Sequence, residues 1–156
     1  MSIPISEITN LQTTLDAKAL SSLDTALADT QYTGVTRALG VSGTVAVGDW
    51  CMLIDSSGTA LWGIVDTSDV AKRCLGVCVG SSGSNRTVLL SGRFRHDTVF
   101  SALTTTGVTV FRHVDTDGSF QVTTPSGTNK ALQVYGIVDS AKTVLVNPSM
   151  DVFTIT

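Results

Sequence analysis

The chain has 156 residues, enough for one domain plus an appendage, and a domain of that size can build a core without disulfides or metals. Charged residues make up 15% and the net charge is −3; basic residues are scattered, with Arg93, Arg95 and His96 the densest group, so no phosphate-binding stripe forms and nucleic acid is not an expected partner. No run of about 18 apolar residues occurs, so no membrane span is expected, and the first twelve residues, without Lys, Arg or a long apolar run, predict no signal peptide.

The first predicted element is helical. Over residues 5–29, Ser6 can cap, and Ile8, Leu11 and Leu15 follow at spacings of three and four. Ser21 and Asp24 make a second capping signal, and Leu23 and Leu27 continue an apolar face. So short a helix is marginal alone in water. Its stripe needs either two more copies around a threefold axis or the surface of its own β domain. Residues 30–42, punctuated by Gly34 and Gly40, read as a connector. The expected division is therefore 1–42, a helical docking or trimerisation segment with its connector, and 43–156, a β domain.

From Thr44 the text changes to short strands rich in Val, Ser and Thr. Ser and Thr together number 40, and mean hydropathy is +0.29. Strands are expected over 44–54, 59–65, 74–79, 86–95, 108–114, 119–124, 131–138 and 142–147. Asp55 to Gly58 and Asp115 to Gly118 are turn signals, the second the clearer hairpin. Many short strands at regular spacing predict a mainly β fold, a small barrel or sandwich behind the helical segment.

Alternation assigns faces. Val88, Leu90 and Phe94 share one, opposite Leu89, Ser91, Arg93 and Arg95. Leu132, Val134 and Val138 share another. Leu75, Val77 and Val79 point one way, Cys74 and Cys78 the other. The strand 44–54 is apolar on both sides, with Val45, Val47, Cys51 and Leu53 on one and Trp50, Met52 and Ile54 on the other. A strand buried on both faces needs a second cover. A neighbouring subunit is the favoured cover, which makes Ile8, Leu11, Leu15, Trp50, Met52 and Ile54 the expected trimer contacts. Few surface charges point the same way, toward association.

The search for chemistry predicts no enzyme. His96 and Asp97 are adjacent, so in a strand they point apart and cannot act as base and orienter. No nucleophile elbow accompanies them. Cys74 and Cys78 are spaced C-x3-C in an apolar strand, which reads as buried thiols rather than zinc ligands. With Cys51 the cysteine count is odd, which favours a reducing site of synthesis. Asp115, Asp117 and Ser119 begin like a calcium loop, but Phe120 and Ser126 stand where it needs Gly and an acid. The stretch from Gly80 to Asn85 lacks the Lys-Ser/Thr of a phosphate loop and reads as a flexible inter-strand loop. Glu7 is the only glutamate, and no carboxylate pair suggests glycoside hydrolysis. No cofactor or metal is expected. Most of the aromatic residues lie in strand patterns and read as core, and Trp62, beside Gly63, is the best candidate for an exposed sugar platform.

Residues 5–19, ISEITNLQTTLDAKA, resemble a segment common near the start of phage fibre and appendage proteins. Ile8, Leu11, Leu15, Asp16, Lys18 and Ala19 carry the likeness. Residues 43–149 are similar to the small barrels of phage head-fibre and capsid decoration (cement) proteins. There the likeness rests on Gly48-Asp49, on the run from Leu53 to Gly58, on Leu75-Gly76-Val77, the run from Leu89 to Gly92, Gly136-Ile137-Val138 and Asn147-Pro148-Ser149. The resemblance implies a homotrimer on the virion surface, made in the host cytoplasm, bound to the major capsid protein and using no cofactor. Ile3, Pro4 and Ile5, an apolar start outside any predicted element, are the expected capsid-docking residues. A short tail fibre or tail-tip adhesin that binds a host-surface glycan or protein is the alternative. The chain stops at Thr156 without the receptor-binding module of a long fibre, which favours a head fibre or cement knob.

Overall fold

The computed structural model describes residues 26–155, apart from 68 and 70. Among these residues the protein is all β. The strands are β1 (Tyr32–Gly40), β2 (Trp50–Ser56), β3 (Thr59–Ile64), β4 (Gly76–Ser82), β5 (Asn85–Arg95), β6 (Thr109–Arg112), β7 (Phe120–Gln121), β8 (Lys130–Leu132), β9 (Val134–Ser140), β10 (Thr143–Val146) and β11 (Phe153–Ile155). Nine form one antiparallel sheet in the order β3-β2-β4-β5-β10-β9-β6-β7, with β1 also on β5, while β8 and β11 pair separately. Most of the expected helical segment, 5–25, lies outside the described residues. Of the rest, Leu27 is buried at a turn rather than on a helix face.

Local chemistry explains the hairpins. Ser57 and Gly58 both take positive φ (53° and 82°), the twist that matches two antiparallel strands, and the Gly58 amide donates to Asp55 Oδ1 at 2.9 Å. The stretch read as a flexible loop at 80–85 is instead paired nearly to its tip. Ser82 faces Asn85 across a two-residue turn in which Gly83 has φ 58°. Asp115 to Gly118 does turn between paired strands, β6 and β7.

The segment 30–42 is not a connector. Residues 32–40 form β1 and pair along nearly all of β5, from Tyr32 opposite Phe94 to Gly40 opposite Asn85. The sheet therefore begins upstream of the expected boundary at 42/43. The opposite edge of β5 is shared, with β4 on its first half and β10 on its last. Val41, just past β1, makes a parallel bridge to Trp62 of β3.

Two cores result, one on each side of β2 and β4. The larger holds Trp50, Met52, Val77, Leu89, Phe94, Phe100, Tyr135, Val138 and Val144 among others. Trp50 stacks on Tyr135 with ring centroids 4.3 Å apart, and Phe100 meets Phe94 and Phe120 edge-on at 5.6 and 5.3 Å. The smaller holds Val45, Cys51, Trp62, Cys78 and Val88. The doubly apolar strand is thus covered on both faces by its own chain, and Trp50 and Met52 are core residues, not trimer contacts. Ile54 is half-buried over Gly63 and packs on the larger core. The paired strand also starts at Trp50 rather than Thr44.

Bulges change three predicted faces. Val35 pairs with Ser91 and Thr36 with Leu89, so Leu90 is the extra residue. Its insertion puts Leu89 with Phe94 in the larger core and Leu90 with Val88 against the smaller. Val110 pairs with Gly136 and Phe111 with Val134, so Tyr135 is extra and turns into the core, where Gln133 is also buried. Val138 is likewise core, while Leu132 and Val134 are only half-buried. Leu75 precedes β4, so Leu75 and Cys78 lie on the smaller core while Cys74, Val77 and Val79 lie in the larger.

Candidate functional site

Trp62, the best candidate for an exposed sugar platform, is instead core and 0% exposed. Its indole N–H donates to the Arg37 carbonyl at 3.3 Å, which ties β3 to β1. Trp50 and Tyr135 are equally buried, and Trp50 Nε1 and the Tyr135 hydroxyl have no hydrogen-bond partner among the described residues. The Cys74 thiol lies beside that hydroxyl, and a thiol is a weak partner. The expected docking residues Ile3, Pro4 and Ile5 and the stripe Ile8, Leu11 and Leu15 lie outside the described residues.

Among the described residues, the thiols, the histidines and the aspartates of the 115–118 turn are engaged in the fold. Cys51, Cys74 and Cys78 are free thiols in the cores. Burial pushes the Cys74 thiol up to about 12 and raises those of Cys51 and Cys78 as well, so none is a thiolate nucleophile near neutral pH. His96 Nδ1 accepts from the Val99 amide at 3.2 Å, and His113 Nδ1 from the Asp115 and Thr116 amides, both at 3.1 Å. Asp115 pairs with Lys130 at 2.8 Å, and that contact holds its carboxyl below the usual range. Asp117 Oδ1 accepts from the Thr67 amide and hydroxyl at 2.7 and 2.8 Å. The loop that opens like a calcium site thus uses its aspartates to fasten turns. Among the described residues no three His, Cys, Asp or Glu side chains gather into a metal-holding group.

Two buried polar residues went unnoticed in the sequence. Arg112, 1% exposed, sends its guanidinium to the carbonyls of Lys72 (3.0 Å), Asp69 (2.9 Å) and Asp66, closing the loop between β3 and β4 over the larger core. Gln133 accepts from the Cys74 amide at 2.9 Å and donates to the carbonyls of Cys74 (3.0 Å) and Ser149 (2.7 Å). Arg112 follows buried Val110 at the two-residue spacing of a strand, a signal the sequence did carry, whereas Gln133 is readable only once the bulge beside it is known.

Three surface features remain. The first is a cleft of about 280 Å³ bounded by Asp49, Val99, Thr116, Asp117 and Phe120. Gly118 closes its floor by accepting from the Trp50 amide and donating to the Val65 carbonyl, each at 2.8 Å. The second is the attachment of the N-terminal approach to the end of β5. Arg95 Nη1 donates to the Leu27 carbonyl at 2.9 Å, the Arg95 amide to Gln31, and the Asp97 amide to Asp29 Oδ1 at 2.7 Å. Arg95 also grips Asp97 at 2.7 Å, and this lowers the Asp97 carboxyl below its ordinary value. The third is the outer face of β9 and β10, where Ile137 and Leu145 stand exposed opposite one another. Comparison with protein-family models, curated proteins and solved structures finds no match for the chain.

Proposed function

We propose that this chain is a non-enzymatic structural protein of a phage virion, a trimeric decoration or head-fibre protein that binds the major capsid protein and stabilises the shell. The observation that carries the reading is the fibre-like segment at residues 5–19, with Ile8, Leu11 and Leu15 on one stripe. The described domain is compatible with it: its thiols, histidines and loop aspartates serve the fold, and its surface carries few charges. In this reading the β1-β5-β4-β2-β3 ring, joined by the Val41–Trp62 bridge, is a small closed barrel that projects as a knob. Closure removes most of the open strand edge, which suits a protein displayed in many copies.

The mechanism is avidity. Three chains on a threefold capsid site make each weak contact cooperate with the other two. A protein that binds the mature shell and not its dissociated parts shifts the shell's stability by mass action. Reconstruction of virions tests this: density for the knob is expected at threefold positions of the capsid. Density at the tail alone would overturn the assignment, and full capsid occupancy by a chain lacking residues 1–6 would remove the docking role of Ile3, Pro4 and Ile5.

The tail-adhesin reading loses its Trp62 platform to the core. What favours it is the cleft beside Asp49, Asp117 and Phe120, which offers carboxylates and an aromatic edge of the kind that hold sugar hydroxyls and ring faces. Purified protein that binds host cells but not capsids would establish that reading in place of the first.

A further inference from the structure

We infer that the cleft between the start of β2, the turn after β5 and the β6–β7 hairpin binds one uncharged sugar ring. The class of ligand rests on the second reading above; its size and charge are set by the lining.

Three separate stretches build the cleft, and each is fixed by the fold. Asp49 stands just before β2, Val99 in the turn after β5, and Thr116, Asp117, Ser119 and Phe120 on the β6–β7 hairpin. Gly118 fastens the hairpin to Trp50 and Val65, and the Val99 amide donates to His96 Nδ1 at 3.2 Å. Gly48 has a φ of 97°, and a Cβ there would lie 2.5 Å from Val99 Cγ2. Glycine is therefore what lets the Val99 wall close against the β2 wall. Walls already held in place need little ordering when a ligand enters, which lowers the cost of binding.

The polar groups of the lining are only half used. Asp49 Oδ2 accepts from the Ala46 amide at 2.8 Å and Asp117 Oδ1 from Thr67, while Asp49 Oδ1 and Asp117 Oδ2 accept nothing among the described residues. One oxygen of each carboxylate thus holds the group still, and the other is left to accept. The Thr116 and Ser119 hydroxyls have no partner among the described residues either. Half-buried Val99 and Phe120 supply apolar wall beside them. Fixed acceptors, free hydroxyls and an apolar wall match a molecule with hydroxyls along its edge and C–H groups on its faces, which describes a sugar ring. Volume limits the occupant to about one ring, since 280 Å³ falls just short of the roughly 300–1,000 Å³ of pockets for drug-sized ligands. Among the described residues no Lys or Arg lines the cleft to offset the two carboxylates, so acidic sugars are repelled. A calcium ion takes about six to eight oxygen ligands, more than the free side-chain oxygens of this lining supply.

The test is an amide chemical-shift titration of the full chain with the methyl glycosides of glucose, galactose, mannose and N-acetylglucosamine, and with glucuronic acid. A ring of about a dozen heavy atoms supports a dissociation constant on the order of millimolar, so titration to about 50 mM suffices. At least one neutral ring is expected to give saturable shifts at residues 48–49 and 116–120, and glucuronate none. No saturable shift there with any neutral ring overturns the assignment, as does equal binding of glucuronate. The same shifts with calcium chloride and with no sugar would make the cleft a cation site instead. Asp49→Asn keeps an acceptor for the Ala46 amide and puts a donor in place of the free oxygen, and is expected to weaken binding at least tenfold. Should that variant fail to fold, Thr116→Val, at an exposed position, is expected to weaken it several-fold. Unchanged affinity in the folded variant overturns the assignment. Host-cell binding separates the two levels of the reading. Sugar binding without cell binding supports the cleft and removes only the adhesin, whereas cell binding without sugar binding overturns the cleft and leaves the adhesin standing.

Discussion

Gln133 does with a side-chain amide what a neighbouring strand does with a peptide. It offers one acceptor and two donors to the backbone of Cys74 and Ser149, and so fastens the approach to β4 and the tail after β10 to the short gap between β8 and β9. Leucine is close to glutamine in size but satisfies none of these groups. Gln133→Leu leaves one amide and two carbonyls at the margin of the core without their partner, and an unsatisfied buried group costs about 1–3 kcal/mol. The variant is expected to lose on the order of 3 kcal/mol, read as a lower urea midpoint at unchanged slope. A change below about 0.5 kcal/mol would show that water replaces the amide without loss. Gln133 was illegible in the sequence because Leu132, Val134 and Val138 implied a regular alternation that put it on the solvent side. The bulge at Tyr135 breaks that alternation, and nothing in Gln-Val-Tyr-Gly announces a bulge.

At the level of the element, the strands with a buried face were the readable ones. The expected 59–65 and 86–95 match β3 and β5 closely, because buried apolar residues such as Trp62, Val88, Leu89 and Phe94 recur along them. The strand β1 was missed for the complementary reason. Its first seven residues are exposed apart from half-buried Thr33, so no period of two is written into them, and Gly34 and Gly40 looked like punctuation. What holds β1 is backbone pairing with β5, and glycine is needed at one point of it. Gly34 and Gly92 face each other with φ of 129° and 139°, and a Cβ on Gly92 would overlap the Thr33 carbonyl. Both the positive φ and the collision oppose a side chain there. Gly92→Ala is expected to peel the start of β1 away, seen as fast amide exchange over 32–36 and a stability loss of more than about 1 kcal/mol. Exchange as slow as in the parent would mean that the strands absorb the methyl by a small shift.

For the molecule as a whole, the paucity of charge sets how it can hold a partner. The doubly apolar strand was correctly read as needing two covers, but the second proved to be the chain's own smaller core of Val45, Cys51, Trp62, Cys78 and Val88. That removes one reason for a trimer. A chain so poor in charge offers a partner little long-range attraction. The described ion pairs, such as Arg93–Asp139 and Arg95–Asp97, are internal to the chain and already compensated. On the proposed reading, a capsid contact would rely on apolar and hydroxyl groups at short range, multiplied by three copies. Contacts of that kind are little affected by ionic strength, whereas attraction between exposed opposite charges is largely screened at about 0.5 M salt. Retention on purified capsids is expected to change by less than about twofold between low salt and that concentration, because burial of apolar surface carries no screened component. Capsid sedimentation of the wild type across a salt series checks this, and steep release by salt alone would show that charged groups carry the attachment.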